Sequence, residues 1–138
     1  QLRQEKKIPL VVSMGGICAS GGYYISMAVG SEENTIWAEP STMTGSIGVI
    51  LPHYDLSALL KKWEIKDDSI TSNPIKAAGS ITREMTPEER KIFQDIIDES
   101  FADFKAIVKT GRPNLTDDQL TKATTGQIFT SKQALDLG

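Results

Sequence analysis

One cysteine and one histidine stand among the 138 residues, and these scarcities bound the chemistry. A lone Cys18 excludes an internal disulfide and leaves the redox compartment open. Two residues before Ser20, it reads as a small core filler rather than a nucleophile. No His, Cys and carboxylate cluster has metal-ligand spacing, so no metal or organic cofactor is implied. No run of 18 apolar residues and no signal-peptide pattern occurs, so the sequence contains no membrane span. Positive charge is sparse too: the net charge is -3 with a pI near 5.2, and the basic residues are scattered apart from short pairs such as Lys6-Lys7 and Lys61-Lys62. That balance argues against a nucleic-acid surface. Low-complexity tracts and internal repeats are missing, and 39% hydrophobic with 24% charged residues is an ordinary globular composition. The length suits one domain over residues 1–138 that buries roughly two-thirds of its unfolded surface.

What is present begins with a hydroxyl at a turn. Residues 8–14 (Ile-Pro-Leu-Val-Val-Ser-Met) form a nearly continuous apolar run, the pattern of a strand buried on both faces in a parallel sheet. From Gly21 onward Tyr23, Tyr24, Met27 and Ala28 recur at helical spacing, with the two tyrosines reading as core packing. Between them lies Gly15-Gly16-Ile17-Cys18-Ala19-Ser20-Gly21-Gly22, whose glycines permit a tight bend and close approach of a ligand. A serine at the mouth of such a helix exposes its hydroxyl, and the free N–H groups of the first turn point at whatever it attacks. The arrangement is like a nucleophile elbow, with different letters. Gly/Ser-rich strand-to-helix turns also bind phosphate or merely turn the chain, and the turn alone leaves those readings open.

Further along, residues 34–38 read as a second strand, 39–46 as a loop, 47–51 as a third strand, and 65–71 as a fourth. Residues 56–63 look helical with Asp55 as cap. Thr86-Pro87-Glu88-Glu89 announces a long helix with a capping box and proline at its first position, carrying Phe93, Ile96, Ile97, Phe101, Phe104, Ile107 and Val108 on one face and ending at Gly111. Thr116-Asp117-Asp118-Gln119 repeats the start signal, and the tail reads as a brief strand and a last helical turn. The alternation implies βαβ units of an α/β domain. Residues 1–7 read as the end of a polar helix, which with the missing initiator Met suggests a fragment of a larger protein.

A serine needs a base. His53, the one histidine, would have to serve a Ser-His-Asp triad, with Asp55 or another acid as orienter; a loop histidine is more often an incidental surface residue. A lysine amine, normally charged with a pKa of roughly 10.4, would have to be desolvated. Of eleven lysines, ten lie in charged or amphipathic surroundings. Lys76, in Asn73-Pro74-Ile75-Lys76-Ala77-Ala78-Gly79-Ser80, has no acid close in sequence, although its local composition is also that of a solvated surface lysine.

Two long segments, Met14-Gly15-Gly16 through Ala19-Ser20-Gly21-Gly22-Tyr23-Tyr24-Ile25 and Pro40-Ser41-Thr42-Met43-Thr44-Gly45-Ser46-Ile47-Gly48-Val49, resemble bacterial signal peptide peptidase A and its phage relatives. The likeness continues through Lys76 to Gly79-Ser80, Arg83-Glu84-Met85-Thr86 and the end segment Gly126 to Gly138, covering nearly the whole chain. The resemblance implies a serine protease with a Clp-protease/crotonase-like fold (a ββα superhelix) and a Ser-Lys dyad. Position by position it implies Ser20 as nucleophile, Lys76 as general base, Ser46 as the hydroxyl that orients the lysine amine, and the Gly21 N–H as an oxyanion donor. It further implies a peptide substrate, such as remnant signal peptides or other small unfolded polypeptides. A homo-oligomeric ring with the dyad shared between subunits is implied as well, as is an N-terminal membrane anchor with the catalytic domain outside the bacterial cytoplasm. The family's upstream Asn-Ser-Pro-Gly-Gly segment, source of a second oxyanion donor, precedes this chain. The chain therefore reads as N-terminally truncated, the C-terminal part of a larger catalytic domain. Losing one such donor costs on the order of 2.7 to 4 kcal/mol of transition-state stabilisation. Rival readings are a non-catalytic oligomerisation module of the same fold, a phage capsid-maturation protease, and a crotonase-like acyl-CoA enzyme.

Overall fold

The opening apolar run forms a strand only at its end, where β1 spans Val12–Met14. A computed structural model describes Glu5 and residues 8–138; apart from Glu5, the polar helix expected over residues 1–7 lies outside the described residues. Burial on both faces is not found: Ile8 and Val11 are 58% and 60% exposed, whereas Met14 is 3% exposed. The reason is pairing, since β1 is laddered in parallel to β3 (Ile36–Ala38) through Val12↔Ile36, Ser13↔Trp37 and Met14↔Ala38 and belongs to a two-stranded sheet.

A second, three-stranded sheet changes the expected strand positions. Residues that read as a turn form β2 (Ile17–Ala19), and residues that read as a loop form β4 (Met43–Gly45). The chain also contains β5 (Ile128–Thr130), and the sheet order is β2-β4-β5. β2 and β4 run parallel with Ala19 opposite Gly45, and β5 is antiparallel to β4 with Ile128 opposite Gly45. The strands expected at 47–51 and 65–71 are not strands. Ile47 instead turns into the core at 2% exposure, while Ile70 is wholly exposed. Three-residue strands are specified by their partners more than by their own alternation.

The helices follow their sequence signals closely: α1 (Gly21–Ser26), α2 (Ser57–Lys62), α3 (Pro87–Gly111), α4 (Asp117–Ala123) and α5 (Ser131–Leu137). At the start of α3 the Thr86 hydroxyl accepts the Glu89 N–H at 3.2 Å and the Glu89 carboxylate accepts the Thr86 N–H at 3.0 Å. The same box closes α4 through Thr116 and Gln119. It closes α5 through Thr130 and Gln133 as well, a signal carried by Thr130-Ser131-Lys132-Gln133. Each such cap stabilises its helix by about 1 kcal/mol. Asp55 accepts the Ser57 N–H at 2.8 Å just before α2.

Two compact units result, residues 1–49 with 100–138, and residues 50–99. The first is a mixed α/β unit that holds both sheets. Its core joins Phe104 and Val108, one turn apart on α3, to Ile47, Leu115 and Ala123, with Tyr23, Leu120 and Leu137 packed at the margin. Tyr24 packs edge-on against Phe104 with ring centroids 5.2 Å apart, yet it stays 43% exposed, so it is only partly the core residue expected.

The second unit carries α2, a 3-10 turn at Pro74–Ala77 and the first turns of α3. Asp67 accepts from the Ser69 N–H and hydroxyl and from the Thr82 hydroxyl, which makes residues 65–71 a side-chain-bonded loop. Ser80 hydrogen-bonds Thr82 in turn at 2.6 Å. Glu89, 2% exposed, receives the Arg83 guanidinium through both terminal nitrogens. That bond, followed by the Thr86 N–H, holds the Glu89 carboxyl down from 4.5 to about 2. An acid so lowered contributes stability that is full above its unfolded value of 4.5 and is lost as pH falls through about 2. Glu89→Gln is therefore expected to flatten the acid decline in stability across that window, read by denaturant titration at successive pH values. A variant that declines as steeply as the parent would contradict it.

Candidate active site

The first unit gathers three of the four residues singled out from the sequence. Ser20 follows β2 and Ser46 follows β4, and because Ala19 pairs with Gly45 the two serines leave neighbouring strand ends side by side. The Ser20 N–H donates to the Gly45 carbonyl at 2.8 Å, and the Ser46 N–H donates to the Gln127 carbonyl at 2.7 Å. Gly45 has φ of +80°, and a Cβ there would lie 2.9 Å from the Gln127 carbonyl oxygen and against the Phe129 ring. Only glycine fits between the two serine-bearing turns.

Ser20 stands at the N-cap of α1 with φ of 52° and ψ of -118°. This conformation is strained for a residue with a Cβ, at a cost of roughly 1–3 kcal/mol. Ser46 also has positive φ, at 51°. An N-cap serine ordinarily spends its hydroxyl on the helix N–H groups. Here the Ser20 side chain makes no capping bond, so its hydroxyl is left to the exposed surface of the turn. Gly21 supplies the first N–H of the helix, and a Cβ at Gly15, Gly16 or Gly21 would meet nothing within 4 Å. The space above the turn is open.

Threonines brace this turn from below. Thr42, 1% exposed, directs its hydroxyl to the Met14 and Gly15 carbonyls at 2.9 and 2.7 Å, and the Thr44 hydroxyl donates to the Cys18 carbonyl at 2.8 Å. Cys18 is only half-buried, with its sulfur 3.5 Å from the Ser26 hydroxyl. Burial pushes the Tyr23 phenol up, partly offset by Arg112. An apolar cleft of about 630 Å³ in the same unit is lined by Tyr23, Ile47, Leu115, Phe129 and Leu137 among others; Ser20, Gly21 and Ser46 are not part of its wall.

Lys76 belongs to the second unit. It sits on the 3-10 turn that Asn73 starts by accepting the Ile75 N–H at 3.0 Å, with Pro74 in the first position. The side chain is exposed in this chain and makes no ion pair with a carboxylate among the described residues. The desolvation that a basic amine requires is thus not provided locally. His53 is tied within its own unit to the Ser80 carbonyl at 3.3 Å, which engages one ring nitrogen as a donor. Among the described residues no three His, Cys, Asp or Glu side chains gather as a metal site would need. No helix there is long and apolar enough to cross a membrane. The residue that sequence reasoning passed over is Arg83, whose guanidinium donates to the Ala77 carbonyl at 3.1 Å as well as to Glu89.

The "Putative protease slr0021" of Synechocystis is 44% identical over 134 residues, 97% of this chain and 47% of that protein. "Protease 4" of Salmonella typhi is 35% identical over 91% of the chain and 19% of its own length. The "Putative signal peptide peptidase SppA" of Enterococcus faecium is 34% identical over 95% of the chain and 37% of its own length. The chain thus spans less than half of each of these relatives. The sequence profile of Peptidase family S49 matches residues 2–138. Nearly the whole chain, with both serine-bearing turns inside it, belongs to peptidase family S49.

Proposed function

We propose that this chain is the Ser-Lys portion of a serine endopeptidase with a Clp-protease/crotonase-like fold, one that degrades remnant signal peptides or other small unfolded polypeptides. The observation that carries the reading is the backbone of Ser20, held at φ 52° and ψ -118° with no capping bond to its side chain. Strain of this kind persists where a surrounding structure over-determines it, and it aims the hydroxyl away from its own helix. In the proposed reaction the Ser20 oxygen attacks the peptide carbonyl while the Lys76 amine takes the hydroxyl proton. The Gly21 N–H donates to the oxygen that gains charge. Lys76 then delivers the proton to the leaving amine, and a water repeats the sequence to release the acyl group from Ser20. Ser46 bonds the lysine amine and keeps its lone pair directed at Ser20.

The exposure of Lys76 in the single chain supports a further part of the reading. Polypeptide beyond this chain, including a neighbouring subunit of a homo-oligomeric ring, covers the amine and removes it from water. Assembly then switches the dyad on. A membrane anchor outside this chain would hold the particle at the bacterial membrane, facing away from the cytoplasm.

A fluorophosphonate probe, applied to the protein extended to the length of its relatives, tests the nucleophile directly. Mass spectrometry is expected to find one adduct, on the peptide that contains Ser20, in the oligomeric fraction. An active preparation labelled on a different serine would overturn the assignment.

A further inference from the structure

Lys76 rests on one turn of 3-10 helix, the least self-sufficient kind of helical element. Its stem has four rotatable carbons, so a defined position for the amine demands that the turn beneath it be held. The Asn73 cap holds the entry. The exit is the Ala77 carbonyl, which accepts the Ser80 N–H at 3.1 Å from the local backbone and Arg83 Nη2 at 3.1 Å from a side chain beyond the turn. The same nitrogen also reaches Glu89 Oε1, while Nη1 bonds Glu89 Oε2 at 3.0 Å and the Glu84 carbonyl at 3.2 Å. Glu89 is anchored in turn by the Thr86 capping box at the start of a 25-residue helix. One planar fork therefore ties the lysine turn to the capped first turn of α3.

We propose that Arg83, anchored by the buried Glu89, is a positioning residue for the Lys76 base, fixing the carbonyl exit of its turn. This rests on the assignment of Lys76 above. Arginine suits the task because its fork bonds a carboxylate and a carbonyl together, which a lysine ammonium on a flexible stem does not reproduce. The charges facing the guanidinium are Glu89, which bonds it, and Asp67, which acts on it across space. The charge of Arg83 is thus matched within its own cluster.

The test uses Arg83→Lys and Arg83→Met in the assembled, full-length peptidase, with Lys76→Ala as the reference. Arg83→Lys preserves the charge opposite Glu89 and so the fold, checked by circular dichroism and particle size. Both variants are expected to lower kcat by roughly ten- to a hundredfold with KM within about twofold. Both should also move the acid limb of the kcat/KM profile to higher pH by about one unit, as a loosened base becomes better hydrated. A merely structural role would lower the amount of active enzyme and leave the limb in place. A folded Arg83→Lys enzyme with the parent's kcat and limb overturns the positioning role while Lys76→Ala remains inactive. Hydrolysis that survives Lys76→Ala removes the base itself, and the proposal with it.

Discussion

Replacing Ser20 with glycine is expected to abolish peptide hydrolysis and, in the same protein, to raise its stability by about 1 kcal/mol. The two effects have separate physical origins. The hydroxyl is the proposed nucleophile, and removing such a group from a serine peptidase costs roughly 10⁴- to 10⁶-fold in kcat. The gain in stability comes from the backbone, because φ of 52° with ψ of -118° is a conformation that glycine adopts without a Cβ clash. Relief of about 1–3 kcal/mol of strain exceeds the roughly 0.4–1 kcal/mol that glycine loses through its freer unfolded state. Ser20→Ala separates the terms: it keeps the Cβ, so it should be as inactive as the glycine variant without its added stability. Chemical denaturation of both, alongside turnover of an unstructured peptide, provides the comparison. Equal stability of the two variants would mean that no strain is stored at Ser20, and undiminished turnover in either would end its role as nucleophile.

Lys76→Met should abolish turnover to a similar degree, and the double variant with Ser20→Ala should be no worse than either alone. Nucleophile and base act as one unit, so the second removal has nothing left to take away. Lys76→Arg is expected to be as inactive as Lys76→Met, since a guanidinium does not give up its proton near neutral pH. These substitutions should leave stability within about 0.5 kcal/mol, because the side chain is exposed and unpaired with any carboxylate among the described residues. His53→Ala is the complementary control: its ring is bound to the Ser80 carbonyl, and turnover with an unchanged pH profile is expected. Loss of turnover in His53→Ala with retention in Lys76→Met would transfer the role of base to the histidine.

Much of the frame was readable from composition and local chemistry. The α/β class, the place of every long or capped helix and the match to peptidase family S49 all rest on signals carried by neighbouring residues. Thr86 with Glu89 and Thr116 with Gln119 are examples, since both partners of a capping box lie within one turn. The strands were less legible. Met43–Gly45 reads as loop because it ends in glycine and follows proline, and it is a strand because β2 and β5 flank it on both sides. Residues 47–51 have better strand composition but no such neighbours, and Ile47 goes to the core instead.

Sequence alone determined which residue types were available for chemistry: one exposed serine among glycines, and one lysine without nearby acids. Tertiary structure decided what those residues must endure. The strained backbone of Ser20 is imposed by a hydrogen bond to Gly45 and by the ladder that sets Ala19 against it, a pairing across 26 residues of chain. The grip of Arg83 on the Ala77 carbonyl likewise depends on a buried carboxylate from the following helix. Propensity acts through adjacent residues, whereas strain and tethering come from distant ones, so only the folded chain contains them.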